Sequence, residues 1–229
     1  MSPIWTLILT ALGGILGGLA MAAIPLCWFY EQLKRASWHA AAAEKIAGIA
    51  ADQARRDDTT GLPNRRAFLE QLQRALAVGD PIGVVMIDLD DFKTVNDTFS
   101  HEAGNDLLTG VGLRLAGLPA PVRLAARLSG DEFVLLVAGD TEQTRASARA
   151  AWRAIISQPI PVAQGTDWKV RASVGYATDG TSARDLLTRA DAAMYQAKAA
   201  GGGVCDSTAV TAPPALPARI RCRDAHRHS

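Results

Sequence analysis

Between Arg127 and Leu136 two apolar, β-rich runs bracket a Ser129-Gly130 pair, and two adjacent acids, Asp131 and Glu132, leave the turn. This pattern predicts a tight hairpin, because small residues tolerate the positive φ of hairpin turns and Gly does so without steric cost. Carboxylates at a rigid hairpin tip can present hard oxygen ligands to a divalent cation and a phosphate together. From this hairpin alone, a solvent-exposed acidic turn fits equally well, since acids are common in turns.

A second acidic cluster shifts the balance. Pro81 to Ile87 is a continuous apolar run rich in β-branched residues, the pattern of a buried strand. It ends in Asp88-Leu89-Asp90-Asp91-Phe92-Lys93. Acids at the carboxyl end of a buried strand are costly to desolvate unless they hold a cation or a partner. Two such clusters in one small domain point to a Mg²⁺-nucleotide site of the kind that transfers phosphoryl or nucleotidyl groups. Around them, periodicity predicts helices near 64–77, 102–116, 142–156 and 183–199, and strands near 82–88, 122–128, 132–138 and 169–177. That alternation implies an α/β sandwich with helices packed on one sheet.

Five blocks carry a family resemblance: Asp57-Asp-Thr-Thr-Gly-Leu-Pro-Asn-Arg-Arg66, then Asp88-Leu-Asp-Asp-Phe-Lys-Thr-Val-Asn96-Asp97, then His101-Glu-Ala-Gly104, then Ser129-Gly-Asp-Glu-Phe133, then Ala190-Asp-Ala-Ala-Met-Tyr-Gln-Ala-Lys198. In this order and spacing they resemble the signature blocks of the GGDEF family, the diguanylate cyclases and their degenerate relatives, over residues 57–204. Five ordered blocks are far more specific than one short motif. The resemblance implies a palm-like, mostly antiparallel sheet, as in nucleotide cyclases, and a homodimer that condenses two GTP into cyclic di-GMP with Mg²⁺ or Mn²⁺. It implies Asp88 and Asp131 as metal ligands with the Leu89 carbonyl as a third protein oxygen, and Glu132 as second-metal ligand or catalytic carboxylate. Asp131, Glu132 and Lys93 form the implied catalytic set, while Asp90 shapes the loop. Lys93 and Lys198 match the triphosphate contacts, and Asn96 matches the guanine-reading amide. Phe92, Asn105, Ser129 and Gly130 complete the implied nucleotide pocket. His101 is expected to be a structural hydrogen-bonder and not a base.

Three departures from the family pattern bear on activity. Asn105 stands where a carboxylate usually takes two hydrogen bonds from guanine, and a site that loses such a partner loses discrimination. Gly202 stands where the family commonly carries a phosphate-gripping Arg. Ser129 replaces the first Gly of the hairpin, adding a Cβ but also a hydroxyl. The family's product-inhibition motif, R-x-x-D, corresponds here to Ala120-Pro-Val-Arg123, so no product-inhibition site is expected.

Outside this region, Pro3 to Tyr30 contains no charged residue and exceeds the ~20 apolar residues a helix needs to span a bilayer. Trp5 lies near one end and Trp28, Phe29 and Tyr30 at the other, and Lys34 and Arg35 follow. The sequence therefore predicts a single transmembrane helix over 3–30, with the C-terminal part in the cytoplasm at the inner membrane. A cleavable signal peptide is the competing reading, opposed by the apolar length and the missing basic n-region. Gly13 and Gly17, like Gly14 and Gly18, have the G-x-x-x-G spacing of close-packed membrane helices, which is also ordinary membrane-helix composition. Residues 31–56 are expected to form a helical stalk, and 205–229, with Pro213, Pro214 and Pro217 and four arginines, a disordered basic tail. Cys27, Cys205 and Cys222 form neither a disulfide framework nor a zinc set. The balance of 24 basic and 23 acidic residues argues against a nucleic-acid partner. Three functions are consistent with the sequence: a membrane-anchored diguanylate cyclase, a catalytically silent module that binds GTP or a protein, and a cyclase with relaxed base choice.

Overall fold

The computed structural model describes residues 3–163 and 165–209; over residues 3–27 it describes the backbone, with local surroundings only at positions 4 and 14. The chain divides into two compact units between Ala54 and Arg55. The first is one long helix, α1 (Pro3–Gln53). Along its later half Trp28, Phe29, Tyr30, Leu33, Trp38, Ile46 and Ile49 are exposed. Among the described residues no helix is long and apolar enough to cross a membrane, so the expected span over 3–30 gains no support there. The side-chain surroundings of most of that span, Gly13, Gly17 and Gly18 included, are not described, and the tail from 210 onward lies outside the described residues.

The second unit runs α2 (Arg65–Val78), β1 (Ile82–Asp90), α3 (Phe92–Thr98), α4 (His101–Ala116), β2 (Val122–Ser129), β3 (Glu132–Ala138), α5 (Thr141–Ile156), β4 (Ile160–Ala163), β5 (Thr166–Trp168), β6 (Arg171–Ala177), α6 (Ala183–Ala199) and β7 (Gly203–Asp206). Four helices start where a short polar side chain accepts a backbone N–H: Asn64 from Ala67, Ser100 from Ala103, Asp140 from Gln143 and Ser182 from Asp185. Removing such a cap costs about 1 kcal/mol. At Asp140 the Gln143 side chain also accepts the cap's own N–H, closing a capping box.

The main sheet has the order β2-β3-β1-β6-β7, antiparallel throughout except for β6 and β7. Strand β1 lies in the middle and is covered on both faces, which is why its sequence is continuously apolar rather than alternating. Val85, Ile87 and Leu89 face a core with Leu107, Leu108 and Val111 of α4 and Ile155 of α5. Val84 and Met86 face the other way, toward Phe68 and Leu72 of α2 and Leu186 and Met194 of α6. Phe133 is fully buried, and truncating such a side chain to Ala costs about 3–5 kcal/mol. Helix α6 lies so close on β6 that a Cβ at Gly175 would stand 2.0 Å from the Met194 amide nitrogen. That close approach fixes the height of α6 above the sheet.

The palm-like α/β arrangement expected from the resemblance is present, with helices on both faces. Three features differ from the sequence expectation. Strand β1 continues to Asp90, so Asp88 and Asp90 are among its final residues and not in a loop beyond it. Helix α3 and the β4–β5 hairpin are additions to the elements that periodicity predicts. Strand β7 carries Cys205 and Asp206, beyond the expected domain edge at 204, and pairs in parallel with β6.

Candidate active site

The site forms where β1 ends between its two neighbours. Asp88 pairs with Glu132 of β3 on one side and with Ser173 of β6 on the other. Residues directly opposite in adjacent strands share a face, so the Asp88, Asp90 and Glu132 side chains all project to the α6 side. The hairpin tip is fixed to this strand end by a backbone contact: the Leu89 N–H donates to the Asp131 carbonyl at 3.2 Å. Gly130 takes a φ of 50°, the left-handed geometry that such a turn requires.

A second set of contacts pins the hairpin from behind. Arg127 donates from Nε and Nη2 to the Gly130 carbonyl at 2.9 and 2.7 Å, and from Nη1 to Asp57 Oδ1 at 2.8 Å. Asp57 lies in the entrance loop, where it also accepts from the Thr60 N–H and hydroxyl. Burial alone would raise the Asp57 carboxyl, but the hydrogen bonds from Arg127 and Thr60 outweigh it and hold the group below the usual range.

Helix α6 contributes Lys198, whose ammonium pairs with Asp88 Oδ1. Burial pushes the Asp88 carboxyl up, and Asp131 and Asp90 add repulsion in the same direction, which the Lys198 pairing only partly offsets. Burial acts to lower Lys198, but its bond to Asp88 and the surrounding acids raise it overall. Asp88, Asp90 and Asp131 thus bring negative charge together at this strand end, with Lys198 as the paired cation. Among the described residues no three acidic, His or Cys side chains form a preformed cage. The donors fit Mg²⁺ nonetheless, because that ion is usually held by one or two carboxylates plus substrate phosphate and water. Asp88, Asp131 and Glu132 would be its protein ligands.

The Ser129 hydroxyl donates to Glu132 Oε2 at 2.9 Å. The residue that breaks the family pattern therefore orients a site carboxylate. Asp90 also differs from a plain loop residue, since its Oδ1 accepts from the Ser173 hydroxyl at 2.8 Å while Oδ2 is buried without a partner.

Of the residues expected to contact nucleotide, Phe92, Lys93, Asn96 and Asn105 lie on α3 and α4. Asn96 Oδ1 sits where a Cβ on Gly104 would be only 2.0 Å away, and the Phe92 ring borders the same spot. Gly104 is needed there for space and not for backbone freedom. Lys93 and Asn105 are exposed on α3 and α4. His101 is exposed at the start of α4, and its ring makes none of the described hydrogen bonds, contrary to the structural role expected for it.

Two features escape sequence reasoning. The Asp57–Arg127 tie joins residues 70 positions apart, so no local pattern reveals it. Asp191 is a half-buried carboxylate on α6; burial and then the charge of Glu132 push it up. It precedes Lys198 by two helical turns, and that spacing is the one signal of it in the sequence.

Comparison with known proteins gives a consistent result. The family described as "Diguanylate cyclase, GGDEF domain" matches residues 54–203. The response regulator PleD of Caulobacter vibrioides is 40% identical over 155 residues, covering 63% of this chain and 34% of PleD. The diguanylate cyclase TpbB of Pseudomonas aeruginosa is 36% identical over 171 residues, covering 71% of this chain and 39% of TpbB. The chain thus spans little more than a third of these curated relatives. Among solved structures, the coiled coil and GGDEF domain of DgcB from Caulobacter crescentus, in complex with c-di-GMP, aligns with a TM-score of 0.69 at 25% identity, covering 78% of this chain and 98% of that one. With an acidic strand end, a matching hairpin and ordered blocks over most of its length, the chain belongs to the GGDEF diguanylate cyclase family.

Proposed function

We propose that this protein is a diguanylate cyclase, condensing two GTP into cyclic di-GMP and two pyrophosphates as a homodimer. The observation that carries the reading is the strand-end geometry: Asp88 faces Glu132 across β1 and β3, and a backbone bond from Leu89 holds Asp131 beside them. In each half-reaction the 3′-hydroxyl of one GTP attacks the α-phosphorus of the other. The P–O bond to the β-phosphate breaks and pyrophosphate leaves. Glu132, oriented by Ser129, is placed to take the hydroxyl proton, while Lys93 and Lys198 neutralise charge on the departing pyrophosphate. A bound Mg²⁺ or Mn²⁺ would supply electrostatic stabilisation of the phosphoryl oxygens and acidify the hydroxyl. Asn96, with Gly104 making room for it, reads the guanine edge by donating and accepting at once.

The reading includes an inner-membrane anchor over residues 3–30 that leaves the catalytic unit in the cytoplasm with its GTP. The uncharged stretch, its terminal aromatics and the following Lys34 and Arg35 support it. Confinement to a membrane would raise the effective concentration of one protomer near another. A non-catalytic module that binds GTP is the second reading, favoured by Gly202 and the exposed Asn105. Asp88→Ala and Asp131→Ala decide between them: each should abolish cyclic di-GMP formation while the protein stays folded. Product from either variant would remove these carboxylates from the site, and absence of product from the unmodified protein would favour the silent module.

A further inference from the structure

Arg171 opens β6 and pairs in register with Asp90, so it stands at the same end of the sheet and on the same face as Asp88 and Asp90. Its Nη2 donates to the Gly201 carbonyl at 3.1 Å, and its Nη1 lies 3.6 Å from Asp91 Oδ2. The guanidinium thus bridges two turns. One, at Asp91, leads directly into Phe92 and Lys93. The other, Gly201-Gly202-Gly203, directly follows the helix that carries Lys198.

That second turn cannot easily supply a cation of its own. Gly201, Gly202 and Gly203 take φ values of 93°, 104° and 111°, a region that side-chain-bearing residues rarely adopt. A Cβ at Gly202 would also come within 3.3 Å of the buried, unpartnered Asp90 Oδ2. The first turn is unusual as well. Asp91 holds a φ of 60° and precedes α3, yet its side chain does not cap that helix; it is turned to Arg171 instead.

We propose that Arg171 binds the outer phosphates of the substrate, supplying from β6 the cation that Gly202 cannot supply from the α6–β7 turn. The proposal rests on the cyclase reading and deepens it. Its present partner holds the guanidinium only weakly, because both side chains are about 60% exposed and exposed pairs contribute little. A phosphate, with more charge and with oxygens matched to the guanidinium fork, competes well for it. Lys93 and Lys198, on the elements flanking these two turns, would share that outer pyrophosphate portion with Arg171.

The test compares binding of 3′-deoxy-GTP, GDP and GMP to the full-length protein with Mg²⁺ by calorimetry; the missing hydroxyl prevents turnover. Arg171→Ala should weaken 3′-deoxy-GTP about tenfold, the loss of one charge-assisted contact, and leave GMP within about twofold. Arg171→Lys should recover part of the loss. Asp91→Asn, which frees the guanidinium and suits a positive φ, should tighten the triphosphate and not GMP. Equal weakening of GMP and 3′-deoxy-GTP, or no weakening of either, overturns the assignment and leaves the cyclase reading intact. If the unmodified protein binds none of the three nucleotides, both fall.

Discussion

The hairpin that carries Asp131 and Glu132 is expected to depend on a residue outside the chemistry, Arg127. Its side chain is 10% exposed and its partner Asp57 23% exposed, so the pair is largely shielded from water. Arg127→Ala removes two hydrogen bonds to the Gly130 carbonyl and one charge-assisted bond to Asp57, and it leaves that carboxylate without its cation. A hydrogen bond to a charged group contributes about 1.5–3 kcal/mol, and breaking one side of a shielded ion pair costs about 3 kcal/mol. A loss near 3 kcal/mol lowers the melting temperature of a unit this size by about 6–12 °C. Urea unfolding of wild type, Arg127→Ala, Asp57→Ala and the double variant isolates the pair, and the expected coupling is about 2 kcal/mol. The pH dependence has a definite sign. Asp57 is held below its unfolded value of ~3.9, so the pair's contribution is present above that pH and is lost as pH falls through the folded value. The gap between wild type and Arg127→Ala should therefore be full at neutral pH and shrink below about pH 4. Turnover should fall at least about tenfold in the same variant, because small misplacement of reacting groups is costly. A coupling under about 0.5 kcal/mol, the level of an exposed pair, would refute the claim that Arg127 braces the hairpin.

Three further outcomes are expected. Gly104→Ala should displace Asn96 and weaken GTP binding by about tenfold, with guanine-over-adenine preference reduced and stability nearly unchanged, because Asn96 is only half-buried. Cyclic di-GMP added up to tens of micromolar should leave initial rates nearly constant, since Ala120 offers no cation and Arg123 instead pairs with Asp80 at 3.5 Å; strong non-competitive inhibition would reveal a product site elsewhere. Replacing Gly13, Gly14, Gly17 and Gly18 by Leu should lower product made by the full-length protein at equal expression, and unchanged activity would mean those glycines play no part in assembly.

What the sequence reveals and what it hides have separate physical causes. Strand β1 and helices α2, α4, α5 and α6 are legible because each has a strong period or a long apolar run, with a capping residue at every helix start. Helix α3 is too short for a period, and it begins from the positive φ of Asp91. The β4–β5 hairpin contains Pro161 and adjoins Pro159, so its residues look like a break. Strand β7 begins at the last of three consecutive glycines, which suggest an end to the domain and not an edge strand. The central place of β1 is seen only in the structure, because periodicity says which face is buried but not which strand is the neighbour. Within the site, Asp88, Asp131 and Glu132 stand out by their clustering. At Ser129 the sequence shows a crowding Cβ and a spare hydroxyl, but not that the hydroxyl holds Glu132. Asp191 is signalled only by its two-turn spacing from Lys198, and Arg171, one cation at a strand start, looks like an ordinary surface residue.

The most direct test is to incubate the full-length protein with GTP and Mg²⁺ and follow nucleotides and pyrophosphate together by mass spectrometry. A working cyclase yields one cyclic di-GMP and two pyrophosphates for every two GTP consumed, at a rate that rises more steeply than linearly with enzyme concentration. GTP that is bound yet recovered unchanged would contradict the assignment.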